Sequence, residues 1–271
     1  LTDRFLWDFR QTIAETMMTA YTDRLIERLD SYGGKYICQS YGNFCADNLS
    51  WAAKSAFPIG EFWSKYRRIP EIPGTPPEIN DETWKLTWKG YASAANAMGR
   101  SRVGAEAFTG ARGWSDHPYL IKGMGDIAFS EGISHYIFHV SAHQPYDNIR
   151  PGLTHSRWGE HFNRHQTWWQ MSKPYMRYVA RSQVMLQSGQ RVVDAATLIN
   201  EGAPLYLRNV SYEIPEGYDF DIITPEILQN MRVENGLLML PSGVSYHFLE
   251  VVPTRLTLVT AQKIEELRKA G

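Results

Sequence analysis

Apolar residues recur about every four positions over residues 4–30, which predicts one long amphipathic helix. The stripe consists of Phe5, Phe9, Ile13, Met17, Tyr21 and Leu25. Gly33-Gly34 follows it and supplies a helix stop. Patterns of the same kind predict further helices at residues 47–55, 84–98, 117–130, 168–187 and 257–270.

Short apolar runs separate these helices and predict five strands. They lie at residues 36–39, 57–63, 102–109, 135–140 and 191–195. Strands that alternate with helices indicate an α/β fold with a mostly parallel sheet. A proline-rich stretch over residues 64–82 predicts a long irregular loop, and a His-rich loop is expected over residues 141–166.

The pattern changes after Ala203, where periodicity is lost and Pro204, Pro215 and Gly217 suggest a linker. Asn235-Gly236 between two apolar runs is a strong hairpin signal. We therefore predict two domains, residues 1–203 and residues 204–271. The second is interpreted as a linker and the start of another α/β domain.

Composition narrows the functional class. The net charge is −1, which argues against a nucleic-acid or anionic-membrane surface. No apolar run approaches the roughly 18 residues of a membrane span. Cys38 and Cys45 are the only cysteines and are interpreted as free thiols. Nine Trp and 15 Tyr are compatible with sugar stacking, although large cores use these residues too.

Two strands contain a carboxylate near their carboxyl end. Glu106 lies in the third predicted strand and Glu61 in the second. The carboxyl ends of parallel strands share one rim, where barrel enzymes build their active sites. Two carboxylates flanking a bond are what glycoside hydrolysis requires. The alternative is that each acid forms an ion pair with a nearby arginine, such as Arg102 or Arg112.

The segment from residue 135 to 169 holds a second group of candidates. His139 is placed at a strand end, and His143 and Gln144 follow it. Trp169 lies beyond, at the start of the next helix. Imidazole, amide and indole groups suit a polyhydroxylated ligand. Metal binding by the histidines is the competing interpretation, although the chain has no HExxH motif.

Five short motifs occur in an order that resembles glycoside hydrolase family 106, the α-L-rhamnosidases. They are Phe5-Leu6-Trp7-Asp8-Phe9-Arg10, Gly60-Glu61-Phe62-Trp63, Ala105-Glu106-Ala107-Phe108-Thr109, His143-Gln144-Pro145, and the stretch from Phe162 to Trp169. The similarity continues into Gly236–Gly243 and Tyr246. It covers nearly the whole chain.

The resemblance implies a (β/α)8 TIM-type barrel, of which about five βα units are present here, followed by accessory domains. It implies inverting hydrolysis of terminal α-L-rhamnosides with a calcium ion near the sugar, although calcium ligands cannot be assigned. Glu106 matches a catalytic glutamate, most simply the general acid. Glu61, His139, His143, Gln144 and Trp169 are expected to line the sugar subsite.

The same resemblance places the second catalytic carboxylate in an Asp-Ser-aromatic-Glu motif upstream of Phe5. We therefore expect a fragment that lacks the N-terminal part of the barrel and hydrolyses little alone. Enzymes that degrade polysaccharides are usually exported, so a secreted or periplasmic location is expected for the full-length protein.

Gln39 departs from the family pattern, which more often has Glu at this position. Three alternatives follow from these observations. One is a glycosidase of other sugar specificity on the same barrel, for example a galactosidase. Another is a catalytically inactive sugar-binding homologue, which Gln39 supports. The last is a metal-dependent hydrolase that uses the His-rich loop.

Overall fold

A computed structural model describes residues 1–40, 47–64, 82–110, 114–155, 158–207 and 212–271, with the backbone alone for residues 82–86. The first thirty residues form the predicted continuous helix: α1 (Thr2–Met17), a π-helical segment (Met18–Asp23) and α2 (Arg24–Asp30). Gly33 ends it with a φ of 70°, and the Gly34 N–H bonds the Leu29 carbonyl at 2.9 Å.

The next elements alternate as predicted. They are α3 (Asn48–Lys54), β1 (Ile59–Trp63), α4 (Glu82–Ala97), β2 (Gly104–Thr109), α5 (Pro118–Ser130) and β3 (His135–Phe138). The three strands form a parallel sheet in the order β1-β2-β3. The strand predicted at residues 36–39 is reduced to one parallel bridge between Gln39 and Ile59. Of the predicted proline-rich loop, residues 65–81 lie outside the described residues.

A second parallel sheet follows the helix α6 (Lys173–Gln187), which is preceded by a 3-10 turn at Trp169–Met171. Its strands are β4 (Ala195–Leu198), β5 (Phe220–Ile223) and β9 (Phe248–Val251), in the order β5-β4-β9. The prediction of a strand at residues 191–195 was wrong in position and in sheet. β4 starts at Ala195 and pairs with β5 and β9, so the second sheet takes strands from both predicted domains.

The hairpin signal is confirmed. β6 (Arg232–Glu234) and β7 (Leu237–Met239) pair in antiparallel fashion, and β8 (Ser245–Tyr246) extends them. Asn235 and Gly236 have φ angles of 53° and 75°, as a type I′ turn requires. Helices α7 (Pro225–Gln229) and α8 (Leu258–Ala270) complete the segment, each capped by a threonine.

Helix α4 packs against both parallel sheets. Trp88 and Tyr91 are fully buried beside β1, and the Ser93 hydroxyl accepts the Ile222 N–H of β5 at 2.8 Å. One apolar core therefore includes residues of both sheets, such as Phe62 and Phe220.

The fold is thus a mixed α/β arrangement, as predicted at the level of class. In the described parts of the chain, each sheet has three strands and none closes into a barrel. No helix there is long and apolar enough to cross a membrane.

Candidate functional site

Glu61 and Glu106 occupy paired positions on neighbouring strands. They are Cα partners in the parallel ladder of β1 and β2, so their side chains leave the same face of the sheet. Ala105 and Ala107 point the other way and are buried in the apolar core. We call the face that bears Glu61 and Glu106 the carboxylate face. The two strands therefore place both predicted acids side by side.

A β-bulge at the end of β2 adds a hydroxyl to this face. The register shifts between Phe62 and Trp63, and Phe108 adopts a φ of 66°, which is uncommon for a bulky residue. The Phe108 ring packs in the core against Phe62 at 4.9 Å between centroids. Thr109 then returns to the carboxylate face, where its hydroxyl donates to Glu106 Oε1 at 2.5 Å.

Glu61 is buried, and each of its carboxylate oxygens accepts an N–H donor. Gln39 Nε2 donates to Glu61 Oε2 at 3.0 Å, and Trp63 Nε1 donates to Oε1 at 2.7 Å. Trp63 packs edge-on against Trp158, with ring centroids 5.2 Å apart. The two donors fix the orientation of the carboxylate, and the aromatic pair fixes the indole donor.

His139 comes directly after β3 and faces Glu106. Its Nδ1 lies 3.8 Å from Glu106 Oε1, which is ion-pair rather than hydrogen-bond distance. Burial lowers the pKa of His139, Glu106 opposes that change, and the neighbouring His155 reinforces it. Gly159 lies against the imidazole, with a φ of 86° and no room for a side chain. The ring is therefore held in place beside Glu106 in its neutral form at neutral pH.

Glu160 holds the backbone around His139 in place. Its N–H donates to the His139 carbonyl at 2.9 Å, and its carbonyl accepts the Val140 N–H at 2.7 Å. Its buried carboxyl accepts from Gln166 Nε2 at 2.7 Å. Burial, and then the nearby Asp116, raise the pKa of Glu160 to about 8. A protonated Glu160 can remain buried at neutral pH without a cationic partner.

The other predicted site residues lie elsewhere in the loop. His143 is exposed, whereas Gln144 is buried and its amide bonds both the N–H and the carbonyl of Leu153. Trp169 is half-buried in the 3-10 turn and packs against the core beside Trp168. Glu61, Glu106 and His139 are thus brought together, while the roles of His143, Gln144 and Trp169 stay predictions.

Three contacts of the carboxylate face were not among the predicted site residues. Thr109 and Trp63 bond the two glutamates, and Gln39 had been noted only as a departure from a family pattern. Trp63 could have been found, because residues i and i+2 of a strand share a face. Thr109 could not have been found in this way, because the bulge at Phe108 interrupts the alternation of side chains between the two faces of the sheet.

The implied calcium ion has no identified ligands. Within the described ranges, no group of three or more His, Cys, Asp or Glu side chains could hold a metal ion. The oxygens of Glu61 accept N–H donors, which do not suit a site for a cation. Calcium therefore remains an implication of the resemblance.

The chain matches the model of glycoside hydrolase family 106, described as alpha-L-rhamnosidase, over residues 1–271. A protein of Formosa agariphila, provisionally named a beta-glucuronidase, is 38% identical over 277 residues. That match covers 100% of this chain and 22% of the relative. The solved structure of a rhamnosidase from Novosphingobium sp. PP1Y superposes with a TM-score of 0.85 and 28% identity. It covers 98% of this chain and 25% of the rhamnosidase.

The chain therefore belongs to glycoside hydrolase family 106, and it spans about a quarter of the length of the relatives it matches.

Proposed function

We propose that this chain supplies part of the active site of an inverting glycoside hydrolase that acts on terminal α-L-rhamnosides. The observation that carries the proposal is the adjacent placement of Glu61 and Glu106 on the carboxylate face, with His139 beside Glu106. In this proposal the sheet β1-β2-β3 is one arc of a (β/α)8 barrel, and the carboxylate face points to its centre.

Glu106 is the better candidate for proton transfer. Its side chain is 26% exposed, whereas Glu61 as a residue is only 5% exposed. A general acid must carry a proton to the leaving oxygen, which suits Glu106 better than Glu61, because both oxygens of Glu61 already accept N–H groups. As general acid, Glu106 would give its proton to the glycosidic oxygen as the bond to the anomeric carbon breaks.

A second carboxylate would activate the water that attacks the opposite face of the sugar. Inverting enzymes keep the two carboxyl groups about 6.5–9.5 Å apart to make room for that water. The resemblance assigns this base to an acidic motif preceding Phe5 in the family. Glu61 then binds sugar hydroxyls, and His139 lies beside the acid as a neutral imidazole.

The name of the Formosa relative supports a second candidate, a β-glucuronidase. A glucuronide carries its own carboxylate, which an ionised Glu61 would repel. Rhamnose is neutral and avoids this repulsion. The carboxylate face therefore favours the rhamnoside.

A substrate panel separates these candidates. The full-length protein is assayed on aryl α-L-rhamnoside, aryl β-D-glucuronide and aryl β-D-galactoside, and the product anomer is followed by NMR. We expect preference for the rhamnoside, with release of the inverted anomer. Preference for the glucuronide would support the second candidate, and sugar binding without turnover of any substrate would indicate an inactive homologue.

A further inference from the structure

The two acids of the carboxylate face are held by different kinds of donor. Each oxygen of Glu61 accepts an N–H group, one from the Gln39 amide at 3.0 Å and one from the Trp63 indole at 2.7 Å. Glu106 accepts a hydroxyl from Thr109 at 2.5 Å. A hydroxyl can either donate or accept, whereas amide and indole N–H groups can only donate. Thr109 therefore tolerates either protonation state of Glu106, while Gln39 and Trp63 favour the ionised form of Glu61.

From this asymmetry, and resting on the proposed function, we propose that Gln39 and Trp63 are positioning residues that divide the roles of the two acids. They hold Glu61 as a fixed, ionised acceptor for sugar hydroxyls. Proton transfer is thereby left to Glu106.

The amide at position 39 matters because it lies so close to the carboxylate of Glu61. A carboxylate there would have an oxygen about 3 Å from Glu61 Oε2, and like charges this close do not both ionise. One of the two would take up a proton, and Glu61 would no longer be a dedicated acceptor. Gln39 avoids this conflict with nearly the same shape.

Burial makes these donors effective. Glu61 is 5% exposed, and a hydrogen bond is stronger where water is excluded. Trp63 cannot turn away easily because its ring packs edge-on against Trp158 at 80°. Gln39 is held by the parallel bridge between its backbone and Ile59, two residues before Glu61. Both donors are therefore fixed by the backbone and by packing before any substrate arrives.

The test is Gln39→Glu in the full-length protein, with the pH dependence of kcat/KM measured on aryl α-L-rhamnoside. We expect the acid limb of the profile to move to higher pH by at least about one unit. Trp63→Phe keeps the ring but removes one donor, and we expect a smaller shift in the same direction. Gln11→Glu is the matched control, since Gln11 Nε2 donates to Glu15 at 3.0 Å on an exposed helix face. Its profile should coincide with that of the parent.

If the acid limb of the pH profile of Gln39→Glu does not move, the inference is overturned. A higher kcat/KM at every pH would also overturn it, because the amide would then be a defect that the carboxylate repairs. A merely structural role for Gln39 lowers activity equally at all pH values and leaves the limb in place.

The pH dependence of stability is a second test. It does not depend on turnover, so it remains informative even if the proposed function is wrong. The added acid acquires a raised pKa in the folded state. The free energy of unfolding of the variant therefore decreases as pH rises from the unfolded pKa of this acid to its folded pKa. The unfolding midpoint of Gln39→Glu should therefore match the parent near pH 4 and fall below it towards pH 7. Parallel curves for the parent, Gln39→Glu and Gln11→Glu would contradict the inference even in a protein without glycosidase activity.

Discussion

At the scale of single residues, Glu61 and Glu106 show how environment separates two identical side chains. They are paired on adjacent strands, yet Glu61 is buried and accepts N–H donors, whereas Glu106 is more exposed and accepts a hydroxyl. The sequence could indicate both acids, because each lies near the end of a predicted strand. It could not indicate their different partners, which depend on the bulge at Phe108 and on the bridge at Gln39.

The hydroxyl of Thr109 gives a prediction at this scale. Thr109→Val keeps the shape of the side chain and removes its donor to Glu106. A hydrogen bond to a charged or proton-transferring carboxyl contributes about 1.5–3 kcal/mol, so we expect kcat/KM to fall about 10- to 100-fold. Thr109→Ser retains the hydroxyl and should retain most of the activity. Equal loss in both variants would assign Thr109 a packing role instead.

At the scale of elements, β1 approaches α4 closely because of Gly60. A Cβ built at Gly60 would lie 2.4 Å from the Tyr91 ring, and Tyr91 is itself fixed by its hydroxyl bond to the Ser40 carbonyl at 2.6 Å. Glycine thus sets the spacing between strand and helix. The next residue, Glu61, points to the opposite, carboxylate face, so its position depends on that spacing.

Gly60→Ala should therefore displace β1. Overpacking of this kind costs about 1–3 kcal/mol of the free energy of unfolding, which denaturant titration measures. We also expect a loss of activity, because Glu61 moves with the strand. Gly189→Ala is the control, since nothing lies within 4 Å of the added methyl group. If both variants are equally stable, the close approach to Tyr91 is not a constraint.

The length of each sequence pattern explains which helices and strands were predicted correctly. The longer helices, such as α4 and α5, were placed within a few residues because their periodicity extends over three or more turns. The strand predicted at residues 191–195 was wrong because a short apolar run carries no information about which sheet it joins. Asp194 instead lies just before β4, and its carboxylate accepts the N–H of Asp219, just before β5, at 3.0 Å. The strand predicted at residues 36–39 forms one bridge only.

At the scale of the whole molecule, a buried polar network joins β5 of the second parallel sheet to α4 and to β8 of the antiparallel sheet. Asp221 of β5 is fully buried and accepts from Asn96 Nδ2 at 2.6 Å and from the Tyr246 hydroxyl at 3.1 Å. Arg191 Nε lies 3.6 Å away. Sequence patterns could not predict this network, because Asp221 lies inside an apolar strand and its partners are distant along the chain.

Asp221→Asn should destabilise the protein in a pH-dependent way. Burial raises the pKa of Asp221 to about 6, with Arg191 as the largest opposing effect. Its contribution is therefore fully present below the unfolded pKa of about 3.9 and is lost as pH rises through about 6. The Asn amide would also face the Arg191 donor, at a cost of about 1–3 kcal/mol.

We expect the stability difference between parent and Asp221→Asn to shrink from pH 4 to pH 6.5 in denaturant titrations. Asp147→Asn is the control, because the Asp147–Arg164 pair is solvent-exposed and contributes little. A difference for Asp221→Asn that is constant across this range would mean that the carboxyl titrates as it does in the unfolded chain.

The central claim is that Glu106 transfers the proton in rhamnoside hydrolysis, and Glu106→Gln tests it most directly. We expect kcat of the full-length protein on aryl α-L-rhamnoside to fall about 10²- to 10⁴-fold, with rhamnose affinity retained, because the amide keeps the shape but cannot donate the acid proton. Turnover within twofold of the parent would contradict the claim.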